Sequence, residues 1–493
     1  MRRMLMAAAV GPLALAGLAV TPPTVAAAPV PDAQKGEIVA TVDRLSPQIS
    51  DTALKIWEFA ELGYLEERST RLLQDQFRKA GFQVKAGVAE IPTAFVASYR
   101  NGEGPVLAIL GEFDALPGMA QAASPERKAL SGPAGHACGH NLFGAGSMGA
   151  ALAIKAWMQK NDVKGEIRFY GTPAEESGGG KVYMVRAGLF QDVDVTLHWH
   201  ASDSNSAGQG VSSANQSGKF RWRGQASHAA GAPERGRSAV DAAEIHDVIV
   251  SFMREHIPDR TRIHNVITSG GSAPNVVPDF AETYYYVRQI DPVVVREVME
   301  RVKRAADGAA LATDTKVEFE LVNGVYGLLP NDALGQVMDA NLRRVGGPQW
   351  TPEETAFAER ITATLPPGAK ARPATEVAPY KVGEEGLGST DVGDVSWVTP
   401  TVGLRVATWA PGTPSHSWQA VAASGSSLGV KGAVVAAKTL ALTAADLFRS
   451  PETIAAAKLE LEQRRGADFT YRSMAGDRKP PLDYRKAPSR GAD

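Results

Sequence analysis

Cysteine is the scarcest residue of this chain, with a single copy, Cys138, among 493 residues. One cysteine excludes an intrachain disulfide. It also excludes a lipid anchor on an N-terminal cysteine, because Cys138 lies far from the start of the chain. A lone thiol is a liability in an oxidising compartment, so a thiol that is kept in an exported protein favours a chemical role.

The chain also carries little net charge. Lys and Arg number 52 against 54 Asp and Glu, a formal net charge of -2, which excludes the basic footprint of a nucleic-acid-binding protein. Hydrophobic residues at 44% and charged residues at 22% are typical of a globular protein. The length predicts two or three domains with a large core.

The N-terminus has the pattern of a cleavable signal peptide, residues 1–28. Arg2 and Arg3 precede the mostly apolar residues 4–20, and the small residues that follow end in an A-x-A-like site at residues 25–28. The apolar run is short and contains Pro12, so it predicts no stable membrane anchor. The mature protein is therefore expected to be secreted or periplasmic, by either the general secretory or the twin-arginine route.

The central motif is GHACGHN at residues 135–141, in which Cys138 stands between His136 and His140. A soft thiolate beside imidazoles suits a transition-metal ion. A predicted strand, 106–110, precedes the motif and a predicted helix, 142–157, follows it, which is where open α/β sheets place their sites. The alternative is that Cys138 is a small buried hydrophobe and the histidines are incidental.

Carboxylates follow two predicted strands. Glu112 and Asp114 come after the strand before the cysteine motif and, taken alone, are more typical of a solvated turn. Glu175 and Glu176 follow the predicted strand 166–171 and precede three glycines. Two carboxylates at a strand end can divide into a metal ligand and a general base; the alternative is a solvated acidic loop.

Histidines occupy two more loop or strand-end positions. His198 and His200 alternate along a predicted strand, so that they face the same side and either could bind a metal. His416 lies in a loop just before a long alanine-rich helix, 425–448. The predicted helix 34–62 has a break at Pro47. The charged tail from Ser450 is expected to wrap the surface or to be partly disordered.

A composition shift at residues 201–217, which are rich in Ser, Ala, Asn and Gly, predicts that the chain passes from one domain into another there. Residues 218–324 then read β-α-β-β-α-β, the ferredoxin-like order. The fold prediction is a two-domain α/β protein with a catalytic domain, 29–217 and 325–493, and an inserted ferredoxin-like α+β domain. Three polar residues of the insert indicate no function when each is taken alone: His228, Asn275 and Arg288.

Seven ordered segments together resemble the di-metal amidohydrolase family of metallopeptidases, which includes aminoacylases, glutamate carboxypeptidases, hippurate hydrolases and auxin-conjugate hydrolases. The likeness runs from about residue 35 to about residue 465. Asn141 and Glu112 stand where the auxin and hippurate branches usually carry aspartate, which agrees with the p-aminobenzoyl-glutamate-like branch. The segments are GEFDALPG (111–118), GHACGHNLFGAG (135–146), PAEESGGG (173–180), GQASHAAGAPERGRSA (224–239), SAPNVVP (272–278), STDVGDVSWVTPT (389–401) and GTPSHSWQ (412–419).

The resemblance implies two divalent metal ions, Mn²⁺ or Zn²⁺, with Glu175 as general base. It selects His200 over His198, because the family's ligand is the sixth residue after Asp194. His136 then need not be a ligand and is left to support the loop, and Asp114 is expected to orient a metal-bound histidine. The implied ligands are Cys138, His140, Glu176, His200 and His416.

The resemblance also implies roles for the inserted domain. The residue matching His228 reaches a neighbouring subunit's active site, where it would stabilise the oxyanion. The residues matching Asn275 and Arg288 hold the substrate's carboxylate or carbonyl, and a guanidinium suits bidentate carboxylate binding. A homodimer, or a heteromer with a paralogous subunit, is therefore expected through this domain.

The implied activity is hydrolysis of the amide bond of an N-acyl, often aroyl, amino acid of the p-aminobenzoyl-glutamate type. One alternative is a broad aminoacylase or a dipeptidase, although no residue is singled out to bind a dipeptide's free amine. The other is a non-catalytic, carboxylate-binding subunit on the same scaffold, which the retained Glu175 disfavours.

Overall fold

The computed structural model describes residues 30–367, 372–386 and 388–485. The predicted signal peptide, residues 1–28, lies outside them. The described strands are β1 Gln83–Ala86, β2 Phe95–Arg100, β3 Val106–Gly111, β4 Leu116–Pro117, β5 Ala134–Gly135, β6 Glu166–Gly171, β7 Val195–Ser202, β8 Gln209–Val211, β9 Ala214–Arg223, β10 Arg262–Ser269, β11 Phe280–Gln289, β12 Lys316–Val325, β13 Val382–Glu385 and β14 Thr401–Ala407. The described helices are α1 Asp32–Phe59, α2 Glu67–Lys79, α3 His140–Lys160, α4 Glu175–Gly178, α5 Gly180–Arg186, α6 Ala239–Met253, α7 Pro292–Ala312, α8 Asp332–Val345, α9 Pro352–Thr362, α10 Val392–Ser396, α11 Trp418–Ser424, α12 Ser427–Phe448 and α13 Pro451–Arg465.

Six strands form the main sheet, in the order β1-β2-β6-β3-β7-β14. β6, β3, β7 and β14 run parallel to one another, whereas β1 and β2 pair antiparallel. The central strand β3 is buried along its whole length, as expected for a parallel strand covered on both faces. Because the four parallel strands end at one edge, the loops that follow them converge there.

Helix α1 runs unbroken from Asp32 to Phe59 with Pro47 in its interior, so the predicted break at Pro47 is wrong. A proline removes one backbone hydrogen bond. The helix nevertheless continues because it packs on α3 and α12 and buries Ile38, Ile49 and Ile56, and tertiary packing supplies most of a helix's stability.

Helix α12, Ser427–Phe448, is long and apolar enough by composition to cross a membrane. Of its most apolar window, 89% is buried inside the protein. It contacts α1, α3, α8 and strands of the main sheet. These contacts are those of a central core helix.

The second sheet has the order β10-β11-β9-β12 and is antiparallel throughout. Helices α6 and α7 pack on it around a core of its own that includes Trp222, Tyr285 and Val302. The chain order β9-α6-β10-β11-α7-β12 confirms the ferredoxin-like pattern. The predicted limits of this inserted domain, residues 218 and 324, lie within β9 and β12.

The described part of the tail follows the first of the two expectations for it, since it wraps the surface. Helix α13, Pro451–Arg465, was not predicted, because its three buried positions, Ile454, Ala457 and Leu461, are interspersed with charged residues. Residues 466–485, named the strap here, follow without a regular helix or strand. Met474 and Ala475 of the strap are buried, so the strap wraps the folded body.

Candidate metal centre and active site

The cysteine motif lies at the N-terminus of α3. His140 is the first residue of the helix, and Gly139 before it has φ 75°, a left-handed conformation that favours glycine. A Cβ on Gly139 would lie 2.4 Å from the Cβ of Ala201 in β7. The turn therefore requires glycine, and it brings Cys138 against the end of β7.

All five predicted ligands belong to one cluster. Donor atoms of Cys138, His140 and His200 lie within 4.8 Å of one another, and those of Cys138, Glu176 and His416 form a second group within the same limit. The Sγ of Cys138 is 3.4 Å from Nε2 of His200, and Oε1 of Glu176 is 3.1 Å from Nε2 of His416. Cys138 is the donor that these two groups share.

The donor set fits divalent cations. Nε2 of His140 faces Oε2 of Glu112 at 3.1 Å, and Oε1 of Glu176 faces Nε2 of His416 at 3.1 Å. Even so, these buried His140, Glu112 and Glu176 atoms form no well-aligned hydrogen bond with any described residue. Buried polar atoms without one are rare and costly, and a bound cation would satisfy them. Nδ1 of His200 donates to the Ala201 carbonyl at 2.7 Å, and this leaves Nε2 for a metal. Thiolate, imidazole and carboxylate together suit Zn²⁺ or a similar ion.

The ligands also perturb one another. Burial opposes ionisation of the thiol, but His200 and His140 lower the pKa of Cys138 well below its ordinary value. Contact with Cys138 and Glu176 raises the pKa of His416 to about 10. The cluster thus stabilises a thiolate next to positive charge, and a divalent cation would take the place of the imidazole protons.

Asp114 lies behind two predicted ligands. Its Oδ1 is 2.9 Å from Nδ1 of His140, and its Oδ2 accepts a hydrogen bond from the backbone N–H of Glu176 at 2.9 Å. Burial acts against its ionisation, yet His140 holds the pKa of Asp114 below its ordinary value. One carboxylate therefore orients both the imidazole and the glutamate loop, as metal-site support groups do.

Glu175 and Glu176 lie on a tight turn after β6, entered through Ala174 at φ 58°. Donor atoms of Glu175, Glu176 and His140 form a third group within 4.8 Å. Burial, together with Glu112 and Glu176, raises the pKa of Glu175 well above its ordinary value. A carboxylate with raised proton affinity beside the cluster suits a general base.

A buried charge network behind the cluster was missed in the sequence. Lys181 is fully buried, and its Nζ lies 2.6 Å from Oε1 of Glu112 and 2.6 Å from Oδ1 of Asp391. Burial opposes its charge, but Asp391 and Glu112 raise the pKa of Lys181 above its ordinary value. Glu112 is thus no solvated turn residue; its other oxygen lies 3.1 Å from Nε2 of His140.

Two histidines near the cluster belong to none of its three groups. Nε2 of His136 is 3.0 Å from the Ile56 carbonyl, and burial lowers the pKa of His136 to about 4. His198 packs on Gly403, where a Cβ would lie 2.2 Å from its Nε2, and burial lowers the pKa of His198 to about 3. Both rings are neutral packing groups, so His136 supports the loop.

Asn141 has a structural role that explains its difference from aspartate. Its Nδ2 donates to the carbonyls of Ala53 at 3.1 Å and Ser424 at 2.9 Å. An ionised carboxylate could donate to neither. The side chain therefore ties α3 to α1 and to the end of α11.

The inserted-domain residues are not brought to this cluster. In the part of the chain that the structure describes, no hydrogen bond or ion pair links His228, Asn275 or Arg288 to the ligands. Nδ1 of His228 accepts hydrogen bonds from the N–H groups of Ala230 and Gly231, which puts the ring proton on Nε2. Arg288 lies over the ring of Tyr286, and its buried Nε has no hydrogen-bond partner among the described residues.

Comparison with known proteins agrees with this geometry. The model of Peptidase family M20/M25/M40 matches residues 108–378. One of the p-aminobenzoyl-glutamate hydrolase subunits of Escherichia coli is 39% identical over 427 residues, covering 81% of this chain and 89% of that protein. The Xaa-Arg dipeptidase of Mus musculus is 29% identical over 85% of this chain and 90% of its own length.

Solved structures share the fold at low identity. The Bacillus subtilis YXEP protein, a dinuclear metal binding peptidase from the M20 family, has a TM-score of 0.58 at 17% identity, covering 83% of this chain and 99% of its own. An aminobenzoyl-glutamate utilization protein from Klebsiella pneumoniae has a TM-score of 0.54 at 19% identity, covering 80% and 96%. These likenesses confirm the predicted two-domain fold.

The family model spans more than half of the chain, and the 39% identity covers 81% of it. Both findings agree with the ligand cluster and with the ferredoxin-like insert. The chain therefore belongs to the M20/M25/M40 peptidase family and is, as predicted, a metal-dependent amidohydrolase.

Proposed function

We propose that this enzyme hydrolyses the amide bond of an N-acyl amino acid, with an aroyl-glutamate of the p-aminobenzoyl-glutamate type as its preferred substrate. The observation that carries the proposal is the shared-thiolate cluster with Glu175 beside it. The 39% identity to a p-aminobenzoyl-glutamate hydrolase of E. coli, along 81% of the chain, supports the substrate class.

Cys138, His140, Glu176, His200 and His416 would hold two divalent cations, Zn²⁺ or Mn²⁺. When bound, such cations supply Lewis-acid activation and lower the pKa of water from about 16 to about 7. Glu175 accepts a proton from the attacking water, whose oxygen bonds to the amide carbon. Glu175 then gives that proton to the nitrogen as the C–N bond breaks, releasing a carboxylic acid and an amino acid.

The substrate test is a panel of N-acyl amino acids assayed with the purified enzyme and added Zn²⁺ or Mn²⁺. We expect the highest kcat/KM for aroyl-glutamates, with at least about 10-fold lower values for N-acetyl amino acids and for dipeptides with a free amine. Dipeptides as the best substrates would replace the proposal with a dipeptidase. Equal rates across acyl groups would replace it with a broad aminoacylase.

The inserted domain places its predicted functional residues at opposite ends. Arg288 pairs with Asn215 near the crossing between the two sheets, whereas His228 and Asn275 lie in loops beyond Arg223 and Ser269, at the far end. The eight residues of β11 between the two ends span about 26 Å. This separation supports our proposal that Arg288 serves its own chain's site and His228 that of a neighbour.

The same domain exposes apolar residues along one face of α6 and on the edge strand β10. On α6, Phe252 is 72% exposed and Val248 52%, and on β10 Val266 is 55% exposed. Such a patch beside an unpaired strand edge favours association. We propose that the partner is a second copy of this chain. Both subunits of the E. coli hydrolase are similar to this chain, so the alternative partner is a paralogous subunit.

Subunit complementation tests this arrangement. We expect His228→Ala alone to lower kcat by about 10²–10³, as loss of an oxyanion donor does, and Glu175→Gln to be similarly impaired. Mixed refolding of the two variants should restore about a quarter of wild-type activity, because half of the dimers then contain one intact site. No recovery on mixing would show that His228 acts within its own chain or not at all.

Phe252→Asp provides the assembly control. It should give a monomer with the low kcat of His228→Ala, measured by light scattering and steady-state kinetics. Leu459→Asp, at an exposed apolar residue of α13, should leave both the mass and kcat unchanged. A wild-type chain that is monomeric and fully active would contradict the partner proposal.

A further inference from the structure

We propose that the strap, residues 466–485, positions the catalytic glutamate loop through Tyr484 and Arg485. The proposal rests on the assigned roles of Glu175 and Glu176, and it gives a role to the end of a tail that lies beyond the segments of family resemblance. Within the described part of the chain, neither Tyr484 nor Arg485 has a hydrogen bond or ion pair to the side chain of a predicted metal ligand. They act through the backbone of Glu176 and are positioning residues.

The contact is made at a single carbonyl. The Tyr484 hydroxyl donates to the backbone oxygen of Glu176 at 2.8 Å, and Nη2 of Arg485 donates to the same oxygen at 3.0 Å. The N–H of Glu176 is held from the other side by Oδ2 of Asp114 at 2.9 Å. Both polar groups of this ligand's backbone are therefore fixed, one by the site's own carboxylate and one by the strap.

The loop needs such fixing because its backbone is unusual. Ala174 and Ser177, neither of them glycine, have positive φ values of 58° and 73°, a conformation that costs free energy and persists only when the surroundings impose it. Glu176 lies between them with a non-helical ψ of 83°. We infer that external hydrogen bonds are needed for this strained turn to hold the side chains of Glu175 and Glu176 at the cluster.

The end of the strap is packed as well as hydrogen bonded. The rings of Tyr484 and Tyr64 meet edge to face at 5.6 Å, and the Tyr64 hydroxyl donates to the Gly178 carbonyl at 2.8 Å. A Cβ on Gly63 would lie 2.4 Å from the Tyr484 hydroxyl oxygen. Two tyrosines thus hold two successive regions of the glutamate loop, and glycine at residue 63 makes room for them.

The rest of the strap is anchored independently of the loop. The Tyr471 hydroxyl donates to Oδ1 of the buried Asp394 at 2.6 Å, and Gln216 of β9 donates to the Met474 carbonyl at 2.8 Å. Arg186 of α5 donates to the Gly476 carbonyl at 2.8 Å. These anchors supply a matched control, because Tyr471→Phe removes a strap hydrogen bond without touching the glutamate loop.

The experiment compares full-length, Zn²⁺-loaded variants by two readouts: the rate of zinc loss to excess chelator, and the separate values of kcat and KM. The double variant Tyr484→Phe/Arg485→Gln should lose zinc about 10-fold faster than wild type. Its kcat should be about 10–100-fold lower with KM little changed, which is the size of effect typical of groups that support metal ligands. Arg485→Lys, which keeps a charged donor, should recover most of the loss seen for Arg485→Gln. Tyr471→Phe should lower Tm but release zinc at the wild-type rate.

The proposal is overturned if the double variant retains zinc and kcat within about 2-fold of wild type. It is equally overturned if Tyr471→Phe accelerates zinc loss as much as Tyr484→Phe, since the strap would then act only through global stability. Should the double variant not fold, the two single variants decide by the same criteria. If the wild-type enzyme turns over no N-acyl amino acid, the proposed function is wrong. The rate of zinc loss would still test whether the strap positions the glutamate loop.

Discussion

Glu175→Gln is expected to abolish turnover while leaving the metal content intact. Glutamine has the shape of glutamate but cannot accept the proton of the attacking water, and general-base catalysis contributes about 10²–10⁴ in rate. We expect kcat near 10⁻³ of wild type, at the middle of that range, with KM almost unchanged. The Cys138–His140–His200 and Cys138–Glu176–His416 groups do not include Glu175, so both remain complete.

The neighbouring glutamate is the matched control. Glu176→Gln changes the same chemical group one residue further along the same turn, and it should lose metal as well as activity, because Glu176 belongs to a ligand group with Cys138 and His416. Elemental analysis and single-turnover kinetics separate the two variants. If Glu175→Gln loses metal as Glu176→Gln does, Glu175 is a ligand, as the third donor group would allow, and the base must be found elsewhere.

Cys138→Ser is expected to have the second large effect, because Cys138 is the residue that both ligand groups share. Serine keeps the volume but its hydroxyl does not ionise near neutral pH, whereas His200 and His140 hold the pKa of the Cys138 thiol well below its ordinary value. Zinc and similar ions bind the thiolate form. We expect loss of at least one metal per chain and activity below about 1% of wild type.

The single cysteine gives this prediction a direct probe. A thiol reagent that counts free cysteines reports on Cys138 alone. The thiol should be unreactive in the metal-loaded enzyme and titrate as one group per chain after a chelator is added. His136→Gln is the control: it alters a buried, neutral histidine of the same loop and should keep the metal and the thiol protection.

The sequence was sufficient for the fold and for the gathering of the ligands. Parallel strands end at one edge, so motifs that follow β3, β6, β7 and β14 had to meet. Choosing His200 over His198 required the family spacing, since the two residues alternate along one strand. The structure brings His200 to Cys138 and packs His198 against Gly403.

Long-range charge pairing was not predictable. Lys181 and Asp391 are 210 positions apart, and each taken alone has the pattern of an ordinary surface residue. Only the packing of α5 against α10 puts the ammonium between Asp391 and Glu112. Two signals were available: Lys181 directly follows three glycines at the start of an apolar helix, and Asp391 lies in the segment 389–401.

Both ends of the chain show where local composition is insufficient. The break at Pro47 was inferred without the surfaces that the helix contacts, and for the tail composition left surface wrapping and partial disorder open, of which the described part shows wrapping. α1 is held by α3 and α12, and the strap by Asp394, β9 and the glutamate loop. Local propensity is a weak predictor wherever tertiary packing decides.

The most direct test of the whole account is the metal content of the purified, full-length wild-type protein. Inductively coupled plasma analysis, with the protein concentration measured independently, should give about two divalent ions per chain, one for each of the two ligand groups that contain Cys138. Chelation should remove both ions together with the activity, and Zn²⁺ or Mn²⁺ should restore it. Full activity with no bound metal would contradict the account.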